Sequence, residues 1–313
     1  MSSPRRRQTL QLLVRVAGLV AAVAAVAFLV VTLWDAWPEV SEAITDASRS
    51  LIGLAWLASL GAMAGLAVLW WSCLRAFDTN RHLMHVSGWY FAGELGKYVP
   101  GGIWPVVGRG ELASRFGVRR PVAYGTTMLS LAVMVLGGIV LAALLLPFAL
   151  GDSDTYPWMW ALVAAVPLGA IALHPAILGP VLRAISRATR GRVDIEPAPW
   201  GTMLVLAASS IPTWILVGVG SWLVGRALGY QPDLPRTVFA ATLAWVVGFV
   251  AVPVPAGAGI REVVFVATSG LGTTEATVVA TVSRFLFVVV DAVCGLAALG
   301  YLRVRRPLPE QTS

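Results

Sequence analysis

The chain has 313 residues, of which 58% are hydrophobic and 12% charged, and its mean hydropathy is +0.78. Soluble domains carry roughly 25% charge, so this composition excludes a water-soluble enzyme and describes an all-α integral membrane protein. The net charge of +7 does not point to nucleic acid, because the arginines cluster in short loops beside apolar stretches, as cytoplasmic loops of membrane proteins do.

Taken in order, Arg5-Arg6-Arg7 precedes an apolar run from Leu10 to Leu33. That run is longer than the roughly 7–15 residues of a signal-peptide core, and it reads as a retained first span. Membrane helices need about 20 apolar residues. Six stretches qualify: Leu10–Leu33, Leu51–Cys73, Val122–Leu150, Trp158–Leu182, Ala198–Leu228 and Ala276–Leu302. Two more, Val86–Val107 and Thr237–Ser269, are apolar but interrupted by Pro and Gly.

Loop charges set the orientation. With the N-terminus inside, the cytoplasmic segments hold 16 of the 23 basic residues, while the outer loops hold Arg49, Arg226 and Arg236 but eight of the 16 acids. Both termini are then cytoplasmic, in the cytoplasmic (inner) membrane. Val86–Val107 has basic loops on both flanks, so it enters and leaves from the cytoplasm. Thr237–Ser269 must begin and end outside for the next span to return the basic tail. Each reads as a re-entrant hairpin, and the two enter from opposite faces. The order span, span, hairpin, span over about residues 10–150 recurs over about 158–302. Three crossings per half is an odd number, so the second copy is inverted, in a single polytopic domain spanning 1–313. Inverted repeats with broken helices at the midplane describe many transporters.

The polar residues at depth carry the functional argument. In the first hairpin Pro100, Gly101 and Gly102 break the helix, and a returning half-helix offers free N–H groups and a positive dipole end to an anion. Lys97, the sole lysine, adds a full charge one turn earlier, with Glu94 at i−3 as a natural partner. A salt bridge that only holds the hairpin competes with a cavity wall, and intramembrane charges usually mark a pathway. Tyr98 and Trp104 read equally well as interfacial anchors or head-group contacts, and Arg109 follows in the return arm. The second hairpin repeats the physics. Pro253 and Pro255 break it, Gly257 and Gly259 open the backbone, and Arg261-Glu262 bring charge to depth. Arg261 suits bidentate contact with phosphate, or pairs with Glu262 or Asp291 as structural glue. Arg284 and Asp291, seven residues apart, share one face of the last span. Glu262 and Asp291 are candidates for ion pairing or proton coupling.

Other residues say less. Arg15 sits where it can snorkel. Cys73 and Cys294 lie in apolar spans and read as small core residues. His174 reads as a satisfied polar residue, and His82 and His85 lack a third ligand at metal spacing. No metal site and no cofactor are expected, and there is no nucleotide-binding Gly-rich loop, Gly-x-Ser-x-Gly elbow or His-Glu-x-x-His motif.

The run Gly96-Lys97-Tyr98-Val99-Pro100-Gly101-Gly102-Ile103-Trp104…Gly108-Arg109, with Pro253-Val254-Pro255-Ala256-Gly257-Ala258-Gly259-Ile260-Arg261-Glu262, resembles the flippase-like transmembrane domain of lysylphosphatidylglycerol synthases. Arg284 matches the arginine that family places in the span after the second motif. The resemblance implies a protein that moves lipids with polar heads between leaflets. Two departures stand out. No aminoacyl-transferase domain follows the membrane part, and Ala256 and Ala258 stand where many relatives have Gly or Ser.

The expected function is a lipid flippase, not an enzyme, acting on an anionic phospholipid, an aminoacylated lipid or a polyprenyl-phosphate-linked sugar. The head group would pass Lys97, Arg261 and Arg284. Membrane lipids are its expected partners, along with glycosyltransferases or lipid-modifying enzymes of the envelope. The alternatives are a membrane-embedded, polyprenyl-phosphate-dependent glycosyltransferase and a non-transporting partner of such enzymes.

Overall fold

A computed structural model describes residues 31, 34–35, 37–98, 103–149, 160–188, 196–250 and 259–304. Every regular element among them is helical: α1 Arg49–Ala76, α2 Leu83–Glu94, α3 Trp104–Arg115, α4 Arg120–Ala149, α5 Trp160–Ala172, α6 Pro175–Ala188, α7 Trp200–Ser209, α8 Ile211–Ala227, α9 Leu234–Val250, α10 Ile260–Thr268 and α11 Thr273–Val304. A 3-10 turn, Leu95–Tyr98, extends α2. An all-helical outcome follows from the apolar surroundings, where each backbone N–H and C=O must be satisfied within its own segment.

Four helices are long and apolar enough to cross a bilayer: α1, α4, α7–α8 taken together, and α11. The bent pair α5–α6 makes a fifth if it forms one span. At 1.5 Å per residue α1, α4 and α11 reach about 42, 45 and 48 Å, against a hydrocarbon thickness of about 30 Å. The expectation of six spans therefore meets four or five among the described residues. The first predicted span, Leu10–Leu33, lies outside them except for Val31, as do the hairpin breaks Pro100, Gly101, Gly102, Pro253, Pro255 and Gly257.

Two spans are not straight. α7 and α8 are separated by Ser210, whose hydroxyl donates to the Ala207 carbonyl at 2.7 Å. Gly137 of α4 lies directly against this break, since a β-carbon there would collide with Ser210 and sit 2.7 Å from the Ala207 oxygen. Residues 163–172 and 175–184 meet at 68°. Pro175 opens α6, where a missing N–H costs nothing, and His174 Nδ1 accepts from the Ala176 N–H at 3.2 Å. His174 is thus a helix cap.

The packing is reciprocal. α1 lies along α8, and both contact α4 and α11. α2 packs on α1, α3 and α11, whereas α9 packs on α8, α10 and α4. The main core gathers Met63, Val133, Trp214, Val246 and Phe287 among others. Trp214 is 2% exposed and donates its indole N–H to the Met134 carbonyl at 2.9 Å, which ties α8 to α4.

Candidate functional site: a charged cavity beside the second broken segment

Glu94 ends α2, and Lys97 and Tyr98 lie in the 3-10 turn that follows. The return arm α3 crosses α2 with almost no spacing. A β-carbon on Gly93 would stand 2.8 Å from the Arg109 backbone nitrogen, and one on Gly108 would stand 3.1 Å from the Gly93 Cα. Only glycine admits that approach. It brings Arg109, 3% exposed, over the Tyr90 ring at 4.0 Å and into an ion pair with Glu94 Oε2. Charge and stacking together satisfy a guanidinium that would otherwise be costly to bury.

Lys97 points its ammonium the other way. Its Nζ lies 3.5 Å from Glu94 Oε1 but 2.7 Å from Asp291 Oδ2 on α11. The Tyr98 hydroxyl donates to the same Oδ2 at 2.7 Å. Asp291 is only 3% exposed, and its Oδ1 has no hydrogen-bond partner among the described residues.

In the second broken segment Gly259 precedes α10 with φ +82°, a left-handed conformation that suits glycine. Arg261 follows in the first turn of α10. Its guanidinium lies over the Trp245 ring at 3.8 Å, and its side chain runs across Gly248 of α9. Glu262 faces away toward α11, where Arg284 donates to its Oε1 at 2.7 Å. Arg261 keeps no such partner. Its Nε is buried without a hydrogen bond, and among the described residues no carboxylate pairs with it.

These groups meet around a cavity of about 60 Å³ lined by Lys97, Tyr98, Trp245, Arg261, Arg284 and Asp291, with Ser221, Glu262, Ser283 and Phe287 among the other residues of its wall. A water needs roughly 10–15 Å³ by this measure, so the space holds several waters or one small polar group. Lys97 is matched by Asp291 and Arg284 by Glu262, which leaves Arg261 as the lining cation with no carboxylate at ion-pair distance among the described residues.

Of the residues expected to touch a head group, Lys97, Tyr98, Arg261 and Arg284 line the cavity, as do Glu262 and Asp291. Glu94, Trp104 and Arg109 do not. Glu94 and Arg109 neutralise each other behind the turn, and Trp104 is 36% exposed. The partners anticipated for Arg261, Glu262 and Asp291, belong to Arg284 and Lys97 instead. Sequence reasoning missed Trp245 and Tyr90, the platforms under the two arginines. Both sit in apolar runs, and their one visible signal is a shared spacing: aromatic, two residues, glycine. Among the described residues no three His, Cys, Asp or Glu side chains are placed to hold a metal ion.

A comparison with curated proteins finds no match for this chain. The family model described as "Lysylphosphatidylglycerol synthase TM region" matches residues 15–295, which takes in both broken segments and every residue of the cavity wall. The chain is therefore a multi-pass membrane protein of the lysylphosphatidylglycerol synthase transmembrane-region family.

Proposed function

We propose that this protein is a lipid flippase, or scramblase-like transporter, of the cytoplasmic membrane. It would move an anionic phospholipid or a polyprenyl-phosphate-linked lipid between leaflets without changing it chemically. The observation that carries this reading is Arg261, an arginine with a buried unbonded Nε and no carboxylate at ion-pair distance among the described residues, in a polar cavity among membrane helices. A cation at depth without a paired carboxylate is expensive, and an arriving phosphate supplies what it lacks. Family membership points the same way, toward lipid modification or transport.

The architecture we infer is an inverted repeat with two re-entrant hairpins. At 1.5 Å per residue α2 and α3 reach about 18 Å and α10 about 14 Å, too short to cross alone. The reciprocal packing of α1 with α8, α2 with α11 and α9 with α4 is what such a repeat produces. With acyl or polyprenyl tails left in the bilayer, rocking of one half against the other gives alternating access. No nucleotide motif is present, so a gradient or the membrane potential would drive net movement. One negative charge moving outward across an inside-negative membrane gains about 2.3 kcal/mol per 100 mV. Lipid-modifying or glycosyl-transferring enzymes of the envelope are its natural partners on either side of this step.

Purified protein in vesicles carrying fluorescent phosphatidylglycerol or a sugar-linked polyprenyl phosphate tests the reading. Labelled lipid should change leaflets faster than in protein-free vesicles, and Lys97→Ala and Arg261→Ala should each slow it at least about tenfold with the protein still folded. Lipid that stays in its starting leaflet, or is chemically altered instead, rejects transport.

A further inference from the structure

The helix α6 stands apart from the rest of the fold. Among the described residues it packs closely on no helix but α5, from which it turns away at 68°. At 1.5 Å per residue its 14 residues reach about 21 Å, and at that angle they advance only about 8 Å along the direction of α5. The bend is fixed from outside as well as within. The His174 N–H turns back to the Ile171 carbonyl at 2.9 Å, and the Ala170 carbonyl accepts from the indole N–H of Trp200, on α7, also at 2.9 Å. The His174 and Trp200 rings meet edge to face at 5.3 Å. Trp200 itself is 41% exposed, and an indole so placed suits the level of lipid head groups.

The sequence of α6 divides it into three sides. At about 100° per residue Gly179 and Leu182 share one side, and both are buried. Ile177 and Val181 form a second, apolar side, 44% and 49% exposed. Arg183 and Arg187, also exposed, form the third, about 120° from the apolar pair. Arg190 and Arg192 follow in sequence, and no acid occurs from residue 155 to residue 193. Apolar and cationic strips along one exposed helix suit the boundary between acyl chains and head groups, where one strip sinks and the other meets phosphate.

We infer that α6 lies in the plane of one leaflet, the cytoplasmic one by the loop charges, and binds the head groups of anionic lipids there through Arg183 and Arg187. This surface is separate from the charged cavity and does not rest on the transport reading. A second copy of the chain would bring the same arginines to the same strip, so charge favours lipid over self-association.

The test places a bimane fluorophore on single cysteines of the full-length protein, Ile177→Cys or Val181→Cys in a Cys73→Ser, Cys294→Ser background. The protein is held in vesicles of equal parts phosphatidylcholine and phosphatidylglycerol, with one lipid or the other carrying brominated, quenching chains. Brominated phosphatidylglycerol should quench the label at position 181 at least about twofold more strongly than brominated phosphatidylcholine. The preference should vanish with Arg183→Gln and Arg187→Gln combined. It should vanish without them in about 1 M salt, where the Debye length falls to about 3 Å. Bromines at two chain depths should place positions 177 and 181 at one level, whereas along a crossing helix they would differ by about 6 Å. Equal quenching by the two lipids, or a preference that survives the salt or the substitutions, overturns the inference. A depth difference of that size does the same. Quenching by neither lipid means that protein covers the strip, a second copy or another partner, and overturns it too.

Discussion

Lys97 and Asp291 are 194 positions apart in sequence and 2.7 Å apart in space. The Asp291 side chain is 2% exposed, so removing the lysine alone leaves a buried carboxylate held only by the Tyr98 hydroxyl. Lys97→Met should destabilise the protein by roughly 3–5 kcal/mol, because an orphaned buried charge costs more than the pair contributes. Pairing it with Asp291→Leu should recover most of the loss, measured as the thermal midpoint in detergent. Equal stability of single and double variants would rule out a buried ion pair here. Charges inside apolar runs were legible in the sequence, which is why Lys97, Arg261, Glu262, Arg284 and Asp291 were singled out. Their pairing was not. Local spacing joins Glu94 to Lys97 and Arg261 to Glu262, whereas the fold gives the shorter contacts to α11. Neighbours along a chain are a poor guide once another helix offers a shorter contact.

The elements differ in how tightly they are fixed. On the α2–α3 crossing a methyl at Gly93 meets backbone, the Arg109 nitrogen at 2.8 Å, and a backbone cannot step aside. At Gly248 the obstacle is the Arg261 side chain, with Nε at 2.8 Å, which can turn. Gly93→Ala should therefore cost about 1–3 kcal/mol through overpacking. Gly248→Ala should cost less stability and instead impair lipid binding by displacing the guanidinium from Trp245. Melting curves and a phosphatidylglycerol titration on both variants check the contrast. Long apolar runs forecast α1, α4 and α11 to within a few residues. The break at Ser210 did not appear in advance, because the run Ala198–Leu228 is long and apolar enough to read as one span despite Ser209-Ser210 and Pro212. Its cause is partly Pro212 at the second position of α8 and partly the close approach of Gly137 on another helix, which no local pattern records.

For the molecule as a whole, orientation rests on the loop charges, and single cysteines can read it. In a Cys73→Ser, Cys294→Ser background, Asn80→Cys should react with an impermeant thiol reagent only from the cytoplasmic side. Gln231→Cys should react only from outside; both positions are exposed in loops. Labelling of both from one side would reverse the argument from charge. The described spans were legible as long apolar runs, and their repetition about every 150 residues belongs to the reading proposed above. The lopsidedness of the site was not legible. Between Pro121 and Ala149, α4 carries no charged residue, whereas its counterpart in the order of elements, α11, carries Arg284 and Asp291, so the charged cavity draws on α11 and not on α4.

The contact of Lys97 and Tyr98 with Asp291 binds the turn of the first half to the last helix of the second. On the transport reading proposed above, any motion that parts them would strand an ammonium and a carboxylate in apolar surroundings. A lipid phosphate would then take the lysine as its own partner and turn a rupture into an exchange. On that reading the ion pair that steadies the resting protein would be a lock that cargo opens, favouring loaded over empty reorientation. The Lys97→Met, Asp291→Leu protein, stable but without the lock, is where movement should no longer wait for a passenger.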